Sequence, residues 1–225
     1  MHIEPGVVEG AKLVLSYATG VVAGGFAIKL AAETVREQGG ASFAVRTVVA
    51  TALVFSFFEI FPHFPVGVSE VHFILGSTLF LILGAAPTAF GLALGLLIQG
   101  LFFAPTDLPQ FGMNVTTLLV PLFAVRALAG RMIPRNTAYV DLQYRQALAL
   151  STAYQSGIVA WVAFWALYGA GFAAENLAAI GSFAASYALV LVIEPLADLA
   201  VLALAKSMRS VTADSLVTYR LHNAA

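Results

Sequence analysis

Apolar runs long enough to cross a bilayer alternate along this chain with short punctuations of glycine, proline and charge. Taking those breaks as loops predicts seven spans, at 11–33, 43–61, 70–85, 87–104, 114–133, 151–172 and 178–205. The runs lack the strand-period alternation of an outer-membrane barrel, and a helix needs roughly 20 residues to cross about 30 Å of hydrocarbon. The predicted fold class is all-α, a polytopic helical membrane bundle. The third and fourth runs are short and share the turn Gly84-Ala85-Ala86-Pro87. Glycines at small-xxx-small spacing, Gly20/Gly24 and Gly91/Gly95, let helix backbones approach closely, and are read first as packing inside the bundle.

Charge orients the bundle. With the N-terminus outside, Lys29, Arg36, Arg46, Arg126, Arg131, Arg135, Arg145, Lys206, Arg209 and Arg220 fall at or near the inner face, and only Lys12 falls outside. Cytoplasmic loops carry the excess of Lys and Arg, so the expected N-terminus is extracytoplasmic and the C-terminus cytoplasmic. One integral membrane domain then divides into a segment 1–10, a bundle 11–205 and a tail 206–225. The mixed stretch 134–149 and the tail suit a membrane surface, a cytoplasmic partner or solvent.

Composition narrows the class. Hydrophobic residues make up 60% and charged ones 10%, with mean hydropathy +0.90, which fits a multi-pass protein of the cell membrane and no soluble domain. A formal charge of −1 argues against a general nucleic-acid binder. Zero cysteines exclude thiolate metal sites, and four methionines argue against a soft-metal pathway. No basic stretch followed by a short apolar run and a cleavage site is present, so the N-terminus is read as the mature one. Met1 is expected to survive processing because His2 is large.

Candidate chemistry starts there. The Met1 amine, the His2 amide and the His2 imidazole can wrap a small divalent ion in fused chelate rings, with one corner of a square open. An amide loses its proton only to a strong Lewis acid such as Ni²⁺ or Cu²⁺. His72, in the first turn of the predicted third span, is the candidate for the fourth nitrogen. His63, between Pro62 and Pro65, is a gate, a transient ligand or simply an exposed loop residue; the last is favoured. A metal-bound imidazole needs an acceptor on its other nitrogen. Ser69, Glu70, Gln99 and Asn114, with His63, are the candidates for orienting ligands or gating the site. Glu194 and Asp198, four residues apart in the seventh span, are expected at a helix end or a docking face.

Several blocks together resemble the CbiM/NikM family, the membrane-embedded substrate-binding components of energy-coupling-factor cobalt and nickel transporters. They are Met1-His2-Ile3 with Gly6, Val71-His72-Phe73 with Gly76, Gly84-Ala85-Ala86-Pro87, Gln99-Gly100-Leu101-Phe102-Phe103, and Phe111-Gly112-Met113-Asn114 after Leu108. The resemblance covers most of residues 1–125. It implies a seven-span bundle in which the amine of Met1, the amide and imidazole of His2, and His72 bind Co²⁺ or Ni²⁺ as transported substrate. It also implies partners: a membrane coupling subunit, a pair of cytoplasmic ATPases and often a small accessory membrane protein. Nothing in the chain resembles a phosphate-binding loop, so ATP hydrolysis falls to the partners. The chain departs from the family pattern at Glu4-Pro5 and over Pro65-Val66-Gly67-Val68-Ser69-Glu70.

Two rivals stand beside this reading. A secondary metal carrier acting alone needs no ATPase. An intramembrane enzyme would pair Glu59, Glu70, Glu194 or Asp198 with a histidine, but neither His-Glu-x-x-His nor Gly-x-Ser-x-Gly occurs.

Overall fold

The computed structural model of the chain describes residues 3–134, 136–207 and 216–223. Helices α1 (Leu13–Gln38) and α2 (Gly40–Phe55) lead through a π-helical turn, Ser56–Ile60, into a hairpin of β1 (Phe64–Val66) and β2 (Ser69–Val71). Then come α3 (Gly76–Leu83), α4 (Ala85–Phe102), α5 (Phe111–Met132), α6 (Tyr144–Ala170), α7 (Ala174–Ser207) and α8 (Tyr219–His222). Among the described residues, six helical stretches are long and apolar enough to cross a membrane: Gly10–Gln38, Gly40–Ile60, Ala85–Phe102, Pro105–Met132, Tyr144–Ala170 and Ala174–Ser207.

The predicted span 70–85 takes a different form. Its first residues are strand and extended chain, and α3 has eight residues, about 12 Å of helix against about 30 Å of hydrocarbon. All of α3 except Ile82 is buried. Its apolar character therefore answers to protein packed around it, and hydropathy alone cannot separate that from lipid. The hairpin takes up the first residues of that stretch. Val66 lies opposite Ser69 across the turn Gly67-Val68, and Gly67 takes φ +64° where a Cβ would overlap the Ala179 carbonyl.

Three of the four predicted small residues pack the bundle, while Gly24 has no neighbour in reach of a Cβ. Gly91 and Gly95 of α4 lie against Ala50 and Val54 of α2, and Gly20 of α1 lies against Gly112 of α5. A main core runs through Phe58, Leu92, Leu118, Leu122, Tyr154, Ile158 and Tyr187. A second, smaller one joins Ile3 and Val8 to Met113 and Trp165.

The two ends of the bundle differ. At one, the turns α1–α2, α3–α4 and α5–α6 meet the C-terminal segment: Thr218 N–H donates to Ile82 O (2.7 Å), Arg220 Nη2 to Pro134 O (3.1 Å) and Arg46 Nη1 to Leu83 O (2.7 Å). Arg46 and Arg220, two of the basic residues predicted on one side, thus lie at the same end. The stretch 134–149 is no loose surface segment there, because Ala138, Tyr139, Val140 and Leu142 are buried in the bundle. Residues 216–223 likewise fold back onto it, with Leu221 buried. At the other end the N-terminal segment and the hairpin meet the α6–α7 turn, where Lys12 Nζ donates to Gly169 O (2.7 Å).

Candidate metal centre

Of the predicted site, the structure describes His72 and the surroundings of Ile3. Ile3 is completely buried. Its N–H donates to Asn114 Oδ1 of α5 at 2.8 Å, it forms an antiparallel bridge with Ser69 of β2, and the next amide, Glu4 N–H, donates to Val68 O at 3.1 Å. The start of the described chain is therefore held beside the hairpin by one isolated bridge, the Ile3 side chain packed with Val8, Met113 and Trp165. Asn114 is the residue that fastens it. Ser69 is the bridge partner and is itself buried.

His72 lies three residues beyond that bridge, 2% exposed. It is in the extended link between β2 and α3 and not in a helical turn, a correction to the sequence expectation. The reason is local: Leu75 has φ +53° and ψ +34°, a left-handed conformation that delays the helix until Gly76. The His72 ring packs on Phe58, centroids 4.6 Å apart, and its Nδ1 is 3.3 Å from Phe73 O. Phe58 sits in the π-helical turn that ends the second span, a local widening often found at functional sites. Gln99 of α4 braces that turn, its Nε2 donating to Phe58 O and to Glu59 Oε2, each 3.2 Å. Gln99 reaches the His72 neighbourhood through Phe58.

Other candidates lie differently. His63 turns back on its own loop, Nδ1 3.4 Å from Phe61 O. Glu70 sits on the hairpin opposite Pro65, and with burial and Asp107 it helps push the Glu4 carboxyl above its ordinary range. Met1 and His2 lie outside the described residues, as do Arg135 and Arg209. Among the described residues no group of three His, Cys, Asp or Glu side chains converges to hold a metal.

Glu194 and Asp198 are neither at a helix end nor on a docking face. They lie inside the bundle at the start of α3. Glu194 accepts from the N–H groups of Ile74 and Leu75 and from Gln155 Nε2, and Asp198 accepts from the hydroxyls of Ser77 and Thr78. Tyr187 Oη donates to Gln155 Oε1 at 2.6 Å. Sequence reading missed Gln155 and Tyr187; the signal was a set of polar side chains stranded in apolar spans. A cavity of about 670 Å³ lies at the opposite end, lined by Arg46, Arg126, Arg220, Glu33 and Glu37, remote from His72.

Among the described residues, six helices long and apolar enough to span a membrane around a half-length buried helix define a multi-pass membrane protein, with His72 ahead of that short helix and Ile3 bridged to Ser69 nearby. The family model for the cobalt uptake substrate-specific transmembrane region, CbiM, matches residues 2–211. The chain belongs to that family, and metal uptake is its activity. Two solved structures share the fold at 18% identity. One, a transition metal transporter, aligns over 94% of this chain and 95% of its own with a TM-score of 0.70. The other, a truncated transition metal transporter, aligns over 91% and 95% with a TM-score of 0.64. No curated protein sequence matches significantly.

Proposed function

We propose that this chain is the substrate-binding component of an energy-coupling-factor transporter, capturing Co²⁺ or Ni²⁺ through the Met1 amine, the His2 amide and imidazole, and the His72 imidazole. The observation that carries this is the seat of Ile3. The antiparallel bridge between Ile3 and Ser69 fastens Ile3 to the strand that leads through Val71 to His72. His72 is three residues from that bridge, so the two residues preceding Ile3 are the ones this reading assigns to meet it. Nitrogen ligands suit both ions, and a deprotonated amide favours nickel on intrinsic affinity.

The domain division follows from this reading. Residues 1–10 are the capture segment, 11–205 the bundle and 206–225 the cytoplasmic end, in one integral domain with the N-terminus extracytoplasmic. ATP hydrolysis and coupling belong to separate subunits, a membrane coupling protein and an ATPase pair, to which this family often adds a small accessory membrane protein. The basic end of the bundle, with its folded-back C-terminal segment, is the face turned to them. Glu59, Glu194 and Asp198 are engaged as hydrogen-bond acceptors within the fold, which argues against the intramembrane enzyme.

The test is metal content and affinity of purified protein whose native N-terminus is verified by intact mass, beside His2→Ala, His72→Ala and a variant with one residue added before Met1. About one nickel or cobalt per native chain, lost in all three variants, is expected. Retention of metal by the extended protein or by His72→Ala overturns the site. Uptake in cells lacking the ATPases would favour the lone carrier.

A further inference from the structure

The amides that follow His72 are held by a side chain 120 residues away, through contacts that hydropathy gives no reason to expect. Resting on the His72 assignment above, we infer that Glu194 is a positioning residue for the metal site. It fixes the segment 72–75, and with it the direction from which the His72 imidazole is presented.

Three features combine. First, the two oxygens of Glu194 serve different donors: Oε1 takes Ile74 N–H, while Oε2 takes Leu75 N–H at 3.0 Å and Gln155 Nε2. Two successive peptide planes are therefore locked two and three residues after His72. Secondly, the segment is bent against its preference. Leu75 is the one residue other than glycine with positive φ among the described residues, a conformation that persists only when the surroundings over-determine it. Thirdly, the carboxyl group is itself aimed. Gln155 of α6 is held by Tyr187 of α7, so the Glu194 head is fixed by a side chain as well as by the backbone it holds.

Asp198 one turn further along α7 has another task. It receives the Ser77 and Thr78 hydroxyls and so anchors the first turn of α3, without touching residues 72–75. The opposite end of α3 meets Arg46, whose Nη1 bonds the Leu83 carbonyl. Acidic groups at the N-terminus and a cation at the C-terminus both favour the helix dipole, so α3 is stabilised at its two ends independently of the metal. Glu194 stands out because its bonds reach beyond the helix into the ligand-bearing link.

Glu194→Gln separates positioning from stability. Glutamine has one acceptor oxygen, and its NH₂ group must face at least one of the N–H donors that Glu194 now accepts. Asp198→Asn is the control in the same polar cluster. On intact, detergent-purified protein with its native N-terminus, three quantities are compared with the native chain and with His72→Ala: the dissociation constant for Ni²⁺, the visible ligand-field spectrum of the bound ion, and the thermal midpoint without metal.

Glu194→Gln is expected to weaken Ni²⁺ binding about 10- to 100-fold, the usual consequence of freeing a ligand's support, and to shift the ligand-field band. Asp198→Asn is expected to lower the thermal midpoint while leaving affinity within about threefold and the band unmoved, because its partners lie outside 72–75. Equal affinity losses in the two variants with an unmoved band would show a merely structural role and overturn the inference. Loss of metal by His72→Ala with unchanged binding by Glu194→Gln would overturn it while leaving the site intact; retention by His72→Ala would remove the site itself. If Glu194→Gln does not fold, Tyr187→Phe replaces it: two- to fivefold weaker binding with a shifted band supports the inference, and unchanged binding refutes it.

Discussion

Replacing Asn114 by alanine tests whether metal capture depends on the seat of the chain start. Asn114 Oδ1 is the acceptor for Ile3 N–H, 2.8 Å away in a buried setting. Removing it leaves that N–H without its partner, at a cost of about 1–3 kcal/mol. This shifts the equilibrium between seated and released N-terminal segment by about 5- to 150-fold. The opposing force is the apolar contact of the Ile3 side chain with Val8, Met113 and Trp165, worth roughly 1.5–3 kcal/mol, together with the bond from Glu4 N–H to Val68 O. Apparent affinity falls in proportion to the seated fraction, so the single variant loses less than the full factor wherever seating is strongly favoured. Combining Asn114→Ala with Ile3→Ala removes both supports and exposes the whole effect. Equilibrium dialysis against Ni²⁺, with unaltered far-ultraviolet circular dichroism as proof of an intact bundle, gives the answer. Binding by the double variant within twofold of the native chain would refute the reasoning.

Three further outcomes follow from the same geometry. Gly169→Ala places a methyl against the Val7 carbonyl, so it should dislodge the N-terminal segment and weaken metal binding while circular dichroism stays unchanged. Gly76→Ala forces a methyl into the Tyr154 ring at the start of α3, and should cost about 1–3 kcal/mol or more, read as a lower thermal midpoint in detergent. Glu4 has its proton affinity raised by burial first and by Glu70 and Asp107 next. Its protonated form is therefore the better fit to the fold, and the stability it lends is present at low pH and lost as pH rises from the ordinary 4.5 through the raised value. Glu4→Gln should remove that loss, so its thermal midpoint should gain on the native protein between acid and neutral pH; parallel pH profiles would count against the acidic corner.

Most of the bundle was legible because a lipid-facing helix and a hydropathy window respond to the same quantity. The helices α1, α2 and α4 to α7 follow the apolar runs, and the turn at Gly84, between α3 and α4, was marked by its Gly-Ala-Ala-Pro sequence. What failed was the inference from apolar to spanning. Residues 70–85 are apolar because α3 is wrapped by α4, α5, α6 and α7, and nothing local in Val71-His72-Phe73-Ile74-Leu75 announces the left-handed Leu75. The site was legible in pieces. His72 and Asn114 were singled out by their blocks, but the role of Asn114 needed a partner 111 residues away, and no periodicity carries such a pairing. Glu194 and Asp198 were noticed as costly intramembrane acids and were misplaced, since their reason for being there is the start of another helix.

The anchoring of Ile3 also sets an order on how the protein matures. Ile3 finds its partners at Ser69 and at Asn114, and Asn114 lies in α5. The segment cannot take its place until about half the polypeptide has been made and inserted, and it closes last a small core that also needs Trp165 from α6. A chain interrupted before that point leaves Ile3 without Asn114 and Trp165. The seating of Ile3 is in this way deferred until α5 and α6 are in place, and it becomes a check on the integrity of the bundle.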